Sequence, residues 1–363
     1  MDRTRILKNI LLLDDELGIS PNESDLAVKA RALLAQQKHH WKLLRQGYES
    51  LATVETRTFE FDGFVINVQF NPGRIISSSA NVDEKSIKER KCFLCVENLP
   101  HEQRAVMYKD EYLILGNPYP IFSEHFTIAH RDHQPQAISG SFTKLLDLSK
   151  DLQRYYLVFY NGPRCGASAP DHMHFQAGDK AFLPIEREYD TIKQSLGEKL
   201  FENEKIVVYS VTGYLRNFVA LESTDKQALK SAFGVFLSLF AKMANTADEP
   251  MVNIISAYEI GNGAESGRGK WRVVIFPRAA HRPSHYYAEG ERNILISPAA
   301  VDLGGVFITP LRKDFDKITK NDIVNILREV TLPSEAFKRL TRELSERLHD
   351  SYRGDTSQQR DCR

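Results

Sequence analysis

The sequence predicts an α+β fold built from two consecutive units, with helical segments before and after them. Three patterns carry this. Residues 112–176 read strand, turn, strand, helix, strand, glycine-rich loop, strand. Residues 205–276 pass through the same kinds of element in the same order, without residue identity. Stretches within 1–50 and 321–352 space their apolar residues as helices do. A single enlarged α+β domain is the alternative to two repeated units.

The 363 residues suffice for one large domain or two moderate ones. A composition of 42% hydrophobic and 26% charged residues is that of a soluble globular chain. Net charge is zero, which leaves no electrostatic footprint for nucleic acid or a membrane surface. No apolar run reaches membrane-spanning length. The run Leu11-Leu12-Leu13 meets Asp14 and Asp15 at once, unlike a signal peptide. Four cysteines, two of them in one Cys-x-x-Cys, do not make a secreted disulfide framework. These features predict a cytoplasmic protein with neither nucleic-acid nor membrane partners.

Residues 1–54 read as an N-terminal helical arm. Ser24 is placed to cap a helix over Asp25 to Leu51, with Leu33, Leu34, Trp41, Leu43, Leu44 and Tyr48 at apolar positions. Residues 55–70 read as a hairpin turning at Asp62-Gly63. Asn71-Pro72-Gly73-Arg74 is turn chemistry, followed by a Ser-rich run to Ala80. Cys92-Phe93-Leu94-Cys95 then suggests metal or redox chemistry in a cytoplasmic chain. The charged lead-in Asp83 to Arg90 and the exit Glu97 to Pro100 argue against redox, because a thioredoxin-type motif needs a strand before it and a helix opening at it. Zinc needs two further ligands, and His125, His130 and His133 lie within one short element. Residues 141–154 read as a helix with Leu145, Leu146, Leu148 and Leu152 on one face. The aromatic and β-branched run Tyr155 to Tyr160 reads as a strand.

The chemistry concentrates in the next stretch, Asn161-Gly162-Pro163-Arg164-Cys165-Gly166-Ala167-Ser168-Ala169-Pro170-Asp171-His172-Met173-His174-Phe175-Gln176. A Gly/Pro/Ser loop leads into a short run where His172, His174 and Gln176 alternate with Met173 and Phe175. On a strand, alternate residues share a face, about 7 Å apart along the chain. The run therefore predicts a polar row of two imidazoles and an amide, with Met173 and Phe175 turned into a core. A chance His-x-His on a core strand is the competing reading of these two histidines alone.

Gly166-Ala167-Ser168 followed by His172-x-His174-x-Gln176 resembles the nucleotidyltransferase branch of the histidine-triad superfamily. That branch holds galactose-1-phosphate uridylyltransferases, diadenosine tetraphosphate phosphorylases and GDP-hexose phosphorylases. Asn161-Gly162-Pro163-Arg164 looks most like the diadenosine tetraphosphate phosphorylase version. The resemblance implies tandem histidine-triad-like units, each an antiparallel sheet with packed helices. It implies boundaries at 1–54 for the arm, 55–200 for a catalytic half, 201–318 for a second half, and 319–363 for C-terminal helices and a tail. It makes His174 the nucleophile that attacks an α-phosphorus and becomes a nucleotidyl-histidine. Gln176 would hold non-bridging phosphate oxygens. An amide donates hydrogen bonds but carries no proton, so the intermediate should wait for phosphate or a sugar phosphate rather than water.

The same resemblance assigns substrate contacts. Gly166 and Ser168 would shape the phosphate loop, with Asn161 at its entry. Arg164 would neutralise charge on the leaving group or acceptor. Asn71 and Arg74 match an Asn/Arg loop near the nucleotide, although turn chemistry alone explains them equally well. Zinc would be structural and held by Cys92, Cys95, His133 and His172, with His125 and His130 as the alternatives to His133. In the second half, Trp271-Arg272-Val273-Val274-Ile275-Phe276 stands where the His-x-His-x-Gln run should be. That half therefore lacks a nucleophile. Arg278, at its end, resembles part of a Trp…Pro-Arg element and could clamp a phosphate or lie in a solvated basic loop.

The expected function is transfer or phosphorolysis on a nucleoside diphosphate sugar or dinucleoside polyphosphate. Hydrolysis of the same donors and a non-catalytic nucleotide-binding module are the rivals. The residues do not name the base, the sugar or the acceptor, and a homodimer stays open.

Overall fold

The computed structural model describes residues 3–23, 25–75, 83–261 and 269–358. The Ser-rich run up to Ala80, most of the loop between Gly261 and Gly269, Ser24 and Cys362 lie outside the described residues.

Two strands open the body, β1 (Glu55–Phe61) and β2 (Phe64–Phe70). They form the expected hairpin, Phe61 opposite Phe64, with Gly63 at φ +78° in the turn. The first unit supplies β3 (Ala105–Tyr108), β4 (Tyr112–Gly116), β5 (His125–His130), β6 (Tyr156–Asn161) and β7 (His174–Asp179). The second supplies β8 (Gly197–Glu202), β9 (Ile206–Val211), β10 (Phe218–Ser223), β11 (Val252–Glu259) and β12 (Lys270–Pro277). A last strand, β13 (Val306–Thr309), follows.

These ten strands form one sheet in the order β3-β4-β5-β7-β6-β11-β12-β10-β9-β8. Read from either edge, the order is the same: three consecutive strands, then the fifth, then the fourth. A helix joins the third and fourth strands in both units, Phe142–Asp151 in the first and Lys226–Met243 in the second. The units meet where β6 pairs antiparallel with β11, Asn161 opposite Asn253. Two repeats thus share one continuous sheet. The hairpin lies outside it: β2 pairs parallel with β13, so residues 55–70 and 306–309 build a separate three-stranded sheet.

Two apolar layers follow from strand alternation. On one face, Met173 just before β7 and Phe175 and Ala177 within it join Val158 and Tyr160 of β6 in a core covered by helices Leu26–His40, Phe142–Asp151, Lys226–Met243 and Ser334–Gln358. The other face carries Leu157 and Phe159 and is covered by β2, the helix Pro184–Leu196, residues 294–308 and the helix Lys320–Val330. His174 and Gln176 project on this second face, opposite to Met173 and Phe175.

Two local expectations need correction. The arm is two helices, Leu26–His40 and Lys42–Leu51, because Trp41 is extended (φ −117°, ψ 105°) and buried. Asp25 caps the first by accepting from Val28 N–H at 2.8 Å. The last helix runs on to Gln358, six residues past the helical spacing read over 321–352. No helix among the described residues is long and apolar enough to cross a membrane.

Candidate active site and metal cluster

The polar row forms with one adjustment. β7 begins at His174, so His172 lies in the turn just before it. Its ring is fully buried. His172 Nε2 lies 2.6 Å from the His130 carbonyl. A carbonyl only accepts, so Nε2 carries the hydrogen and Nδ1 keeps a lone pair. That lone pair faces two sulfurs, Cys92 Sγ at 3.3 Å and Cys95 Sγ at 3.7 Å. His133 Nδ1 lies 3.2 Å from Cys95 Sγ. One donor atom from each of Cys92, Cys95, His133 and His172 falls within 4.8 Å of every other.

These residues fit a zinc ion. Tetrahedral zinc with thiolate and imidazole ligands sets sulfur and nitrogen about 3.5 Å apart, and these pairs are at 3.2–3.7 Å. The His130 carbonyl holds the His172 ring in the way an outer partner would fix a metal-ligating histidine. Of the three histidines open in the sequence, His133 is the one at the thiols. His130 Nδ1 instead accepts from Asp132 N–H at 3.0 Å.

His125 turns to the other end of the polar row. Its Nδ1 accepts from Ile121 N–H at 3.2 Å, so Nε2 bears the hydrogen and donates to Gln176 Oε1 at 2.9 Å. Burial, then the Arg74 charge, pushes His125 down to about 3. With the Gln176 oxygen occupied, its NH2 end is the one free to face a ligand.

His174 is buried, at 3% exposure. Its Nδ1 lies 2.8 Å from the His172 carbonyl, so Nδ1 donates and Nε2 holds a lone pair. Burial holds the ring down to about 4, and it is uncharged at neutral pH. The two residues of the row therefore present a bare ring nitrogen and an amide donor on one strand face.

The loop between β6 and β7 is built around Gly166. Its φ is +91°, and a Cβ there would sit 2.5 Å from Ala299 Cβ. Only glycine admits both the turn and this approach. Asn161 Oδ1 accepts from Ala300 N–H and from Asn253 Nδ2, each at 2.8 Å. Asn253 Nδ2 also reaches the Cys165 carbonyl at 2.7 Å. Ser168 is half-buried in this loop, while Arg164 is exposed. Burial, then Arg282, Arg278 and Arg164, lowers His281 to about 4, which marks a basic rim at the loop.

Arg278 does not act as the expected phosphate clamp. It is 1% exposed, and all five of its N–H groups are spent on protein acceptors. Nε donates to Val330 O, Nη1 to Asn253 Oδ1 and Pro298 O, and Nη2 to the carbonyls of Ala280 and His281, over 2.6–3.0 Å. It is a brace joining four segments behind the loop. Asn71 is also a brace, its Nδ2 donating to Gln69 Oε1 and Pro120 O. Arg74 Nη1 donates to Tyr119 O at 2.8 Å, and burial lowers its guanidinium to about 10.

Both halves of the chain are similar to known proteins. Residues 33–179 match the family described as Domain of unknown function (DUF4922). Residues 189–351 match the family described as GDPGP1-like, C-terminal domain. A galactose-1-phosphate uridylyltransferase of Clostridium acetobutylicum is 30% identical over 125 residues, 29% of this chain and 25% of the relative. One of Caldanaerobacter subterraneus subsp. tengcongensis is 31% identical over 111 residues, 26% of this chain and 21% of the relative. The alignments thus span a quarter or less of these relatives' length. The crystal structure of yeast Ap4A phosphorylase in complex with Ap4A superposes with a TM-score of 0.53 at 15% identity. That likeness covers 84% of this chain and 98% of the yeast chain, and it is one of fold.

Proposed function

Because this chain belongs to the nucleotidyltransferase branch of the histidine-triad superfamily, we propose that it transfers a nucleotidyl group through a covalent bond to His174. The donor is a nucleoside diphosphate sugar or a dinucleoside polyphosphate, and the acceptor is phosphate or a sugar phosphate. One observation carries the reading. The His172 carbonyl holds the hydrogen of His174 on Nδ1, which leaves Nε2 as an uncharged nucleophile without a separate base.

His174 Nε2 attacks the α-phosphorus, the P–O bond to the leaving group breaks, and the imidazole becomes a phosphoramidate. The Gln176 NH2, turned by His125, donates to a non-bridging oxygen as charge builds there. Gly166 and Ser168 shape the phosphate loop, and Asn161 ties it to Ala300. Arg164 neutralises the leaving or incoming phosphate from the exposed side of the loop. Asn71 and Arg74 shape the nucleotide pocket from behind the turn at Tyr119 and Pro120. The Gln176 amide cannot take a proton from an attacking water, which favours phosphorolysis or transfer over hydrolysis.

Cys92, Cys95, His133 and His172 would hold one zinc ion. Bound there, zinc supplies a closed four-ligand anchor rather than a reactive position. These residues hold the turn before β7 and with it the carbonyl that orients His174.

The test is a screen of UDP-glucose, GDP-glucose and Ap4A, each with phosphate or galactose 1-phosphate. The reading expects one donor to give a phosphate-dependent nucleoside di- or triphosphate, or a new nucleotide sugar. Release of a nucleoside monophosphate in water alone would support hydrolysis, and turnover of none would favour a binding module.

A further inference from the structure

The ladder between β6 and β7 stops two residues short of His174. Its register runs from Tyr156↔Asp179 to Phe159↔Gln176. Continued outward, it would set Asn161 opposite His174. There the side chain of Gln136 stands between the strands. Its Oε1 accepts from His174 N–H at 2.7 Å. Its Nε2 donates to the carbonyls of Asn161 at 2.9 Å and of His174 at 3.0 Å. One amide thus takes the place of the missing strand-to-strand bonds, and Gln136 is only 3% exposed.

In a strand, the N–H and C=O of one residue point to the same side. On the β5 side His130 N–H bonds to the Met173 carbonyl, the residue before His174. Both main-chain groups of His174 therefore face Gln136, and that amide serves both.

We propose that Gln136 is a positioning residue: it fixes the main chain of His174 and so aims the Nε2 lone pair. This rests on the reading of His174 as the nucleophile. The ring's remaining tie runs from Nδ1 to the His172 carbonyl, within the same short stretch. A twist of the main chain at residue 174 breaks that tie and swings Nε2. Gln136 is itself set by its own N–H, which donates to Pro170 O at 3.2 Å, and by Met173 N–H, which donates to Gln134 O at 2.7 Å. The segment 133–136 thus runs along 170–174. It brings His133 to His172 at the thiols and Gln136 to the main chain of His174.

Gln136→Met keeps the length and loses all three bonds. Gln136→Glu keeps an acceptor for His174 N–H but sets a carboxylate against two carbonyls. Two readouts are taken. The first is the labelling rate and KM with whichever of UDP-glucose, GDP-glucose or Ap4A labels the wild type. The second is the 15N ring signature of His174, which needs no reaction. The expected result is a rate lowered on the order of 10²-fold by misaim of the nucleophile. KM and zinc content should stay near wild type, and the Nδ1–H tautomer should be lost in Gln136→Met and weakened in Gln136→Glu. Wild-type rate and tautomer in either folded variant would overturn the role. If no donor labels the wild type, the reading of His174 as nucleophile fails, and the ring signature still decides whether Gln136 positions it.

Discussion

His125 Nε2 donates to Gln176 Oε1 at 2.9 Å, and this bond decides which end of the amide would face the phosphate of the proposed substrate. An amide flipped end for end would turn an oxygen toward phosphate oxygens and repel them. His125→Phe should leave zinc content unchanged and slow nucleotidyl labelling by about tenfold, the rate equivalent of one lost hydrogen bond of roughly 1.4 kcal/mol. Rapid-quench labelling measures this. An unchanged rate would mean that Gln176 needs no such orientation.

The half-buried Glu249 accepts from Tyr160 O–H at 2.6 Å and from Ile138 N–H at 2.5 Å. Burial raises it to about 7. A raised carboxyl favours the protonated fold, so its contribution is full below the ordinary glutamate value and is lost as pH rises through about 7. Wild-type Tm should therefore fall between pH 5 and 8 more steeply than that of Glu249→Gln. Parallel melting curves for the two would contradict this.

Arg278→Lys should destabilise the fold by about 3 kcal/mol or more, because one ammonium cannot serve five acceptors around a planar fork. Denaturant unfolding reads it directly. A stable variant whose sole defect is a raised KM for phosphate would restore the clamp expected from the sequence.

Gly166→Ala combines a left-handed φ of +91° with a Cβ 2.5 Å from Ala299 Cβ. The expected loss is about 2–4 kcal/mol from backbone strain and overpacking together. Gly166→Ala with Ala299→Gly should recover only the packing part. Full recovery would show that φ carries no strain there.

Much of the site could be read from the chain because its signals are local. The alternation at Met173, His174, Phe175 and Gln176 sets which face each side chain takes, and strand pairing preserves it. Cys92-x-x-Cys95 limits its own geometry to a metal-sized knuckle, and His133 was reachable only through resemblance. Gln136 carries no such signal: a glutamine filling a gap between two strands looks like any polar loop residue. Arg278 was misread for a similar reason. Whether an arginine meets phosphate or carbonyls depends on Pro298 and Val330, 20 and 52 residues further on. The repeat was legible as an order of elements, but the joining of both units through β6 and β11 depends on a pairing between distant strands.

Cys92→Ser should lower zinc content from one per chain toward zero and reduce Tm, since the cluster ties the loop at residues 92–95 to the turn before β7. Equal zinc in both proteins would remove the metal from this site.

Intact-mass spectrometry after brief exposure to UDP-glucose, GDP-glucose or Ap4A, without acceptor, tests the central claim most directly. One of these should add a single nucleoside monophosphate to the chain, mapped to the peptide carrying His174, acid-labile, and absent from His174→Ala. An adduct that persists in His174→Ala, or none on the wild type while the donor is consumed, would contradict a nucleotidyl-histidine at this position.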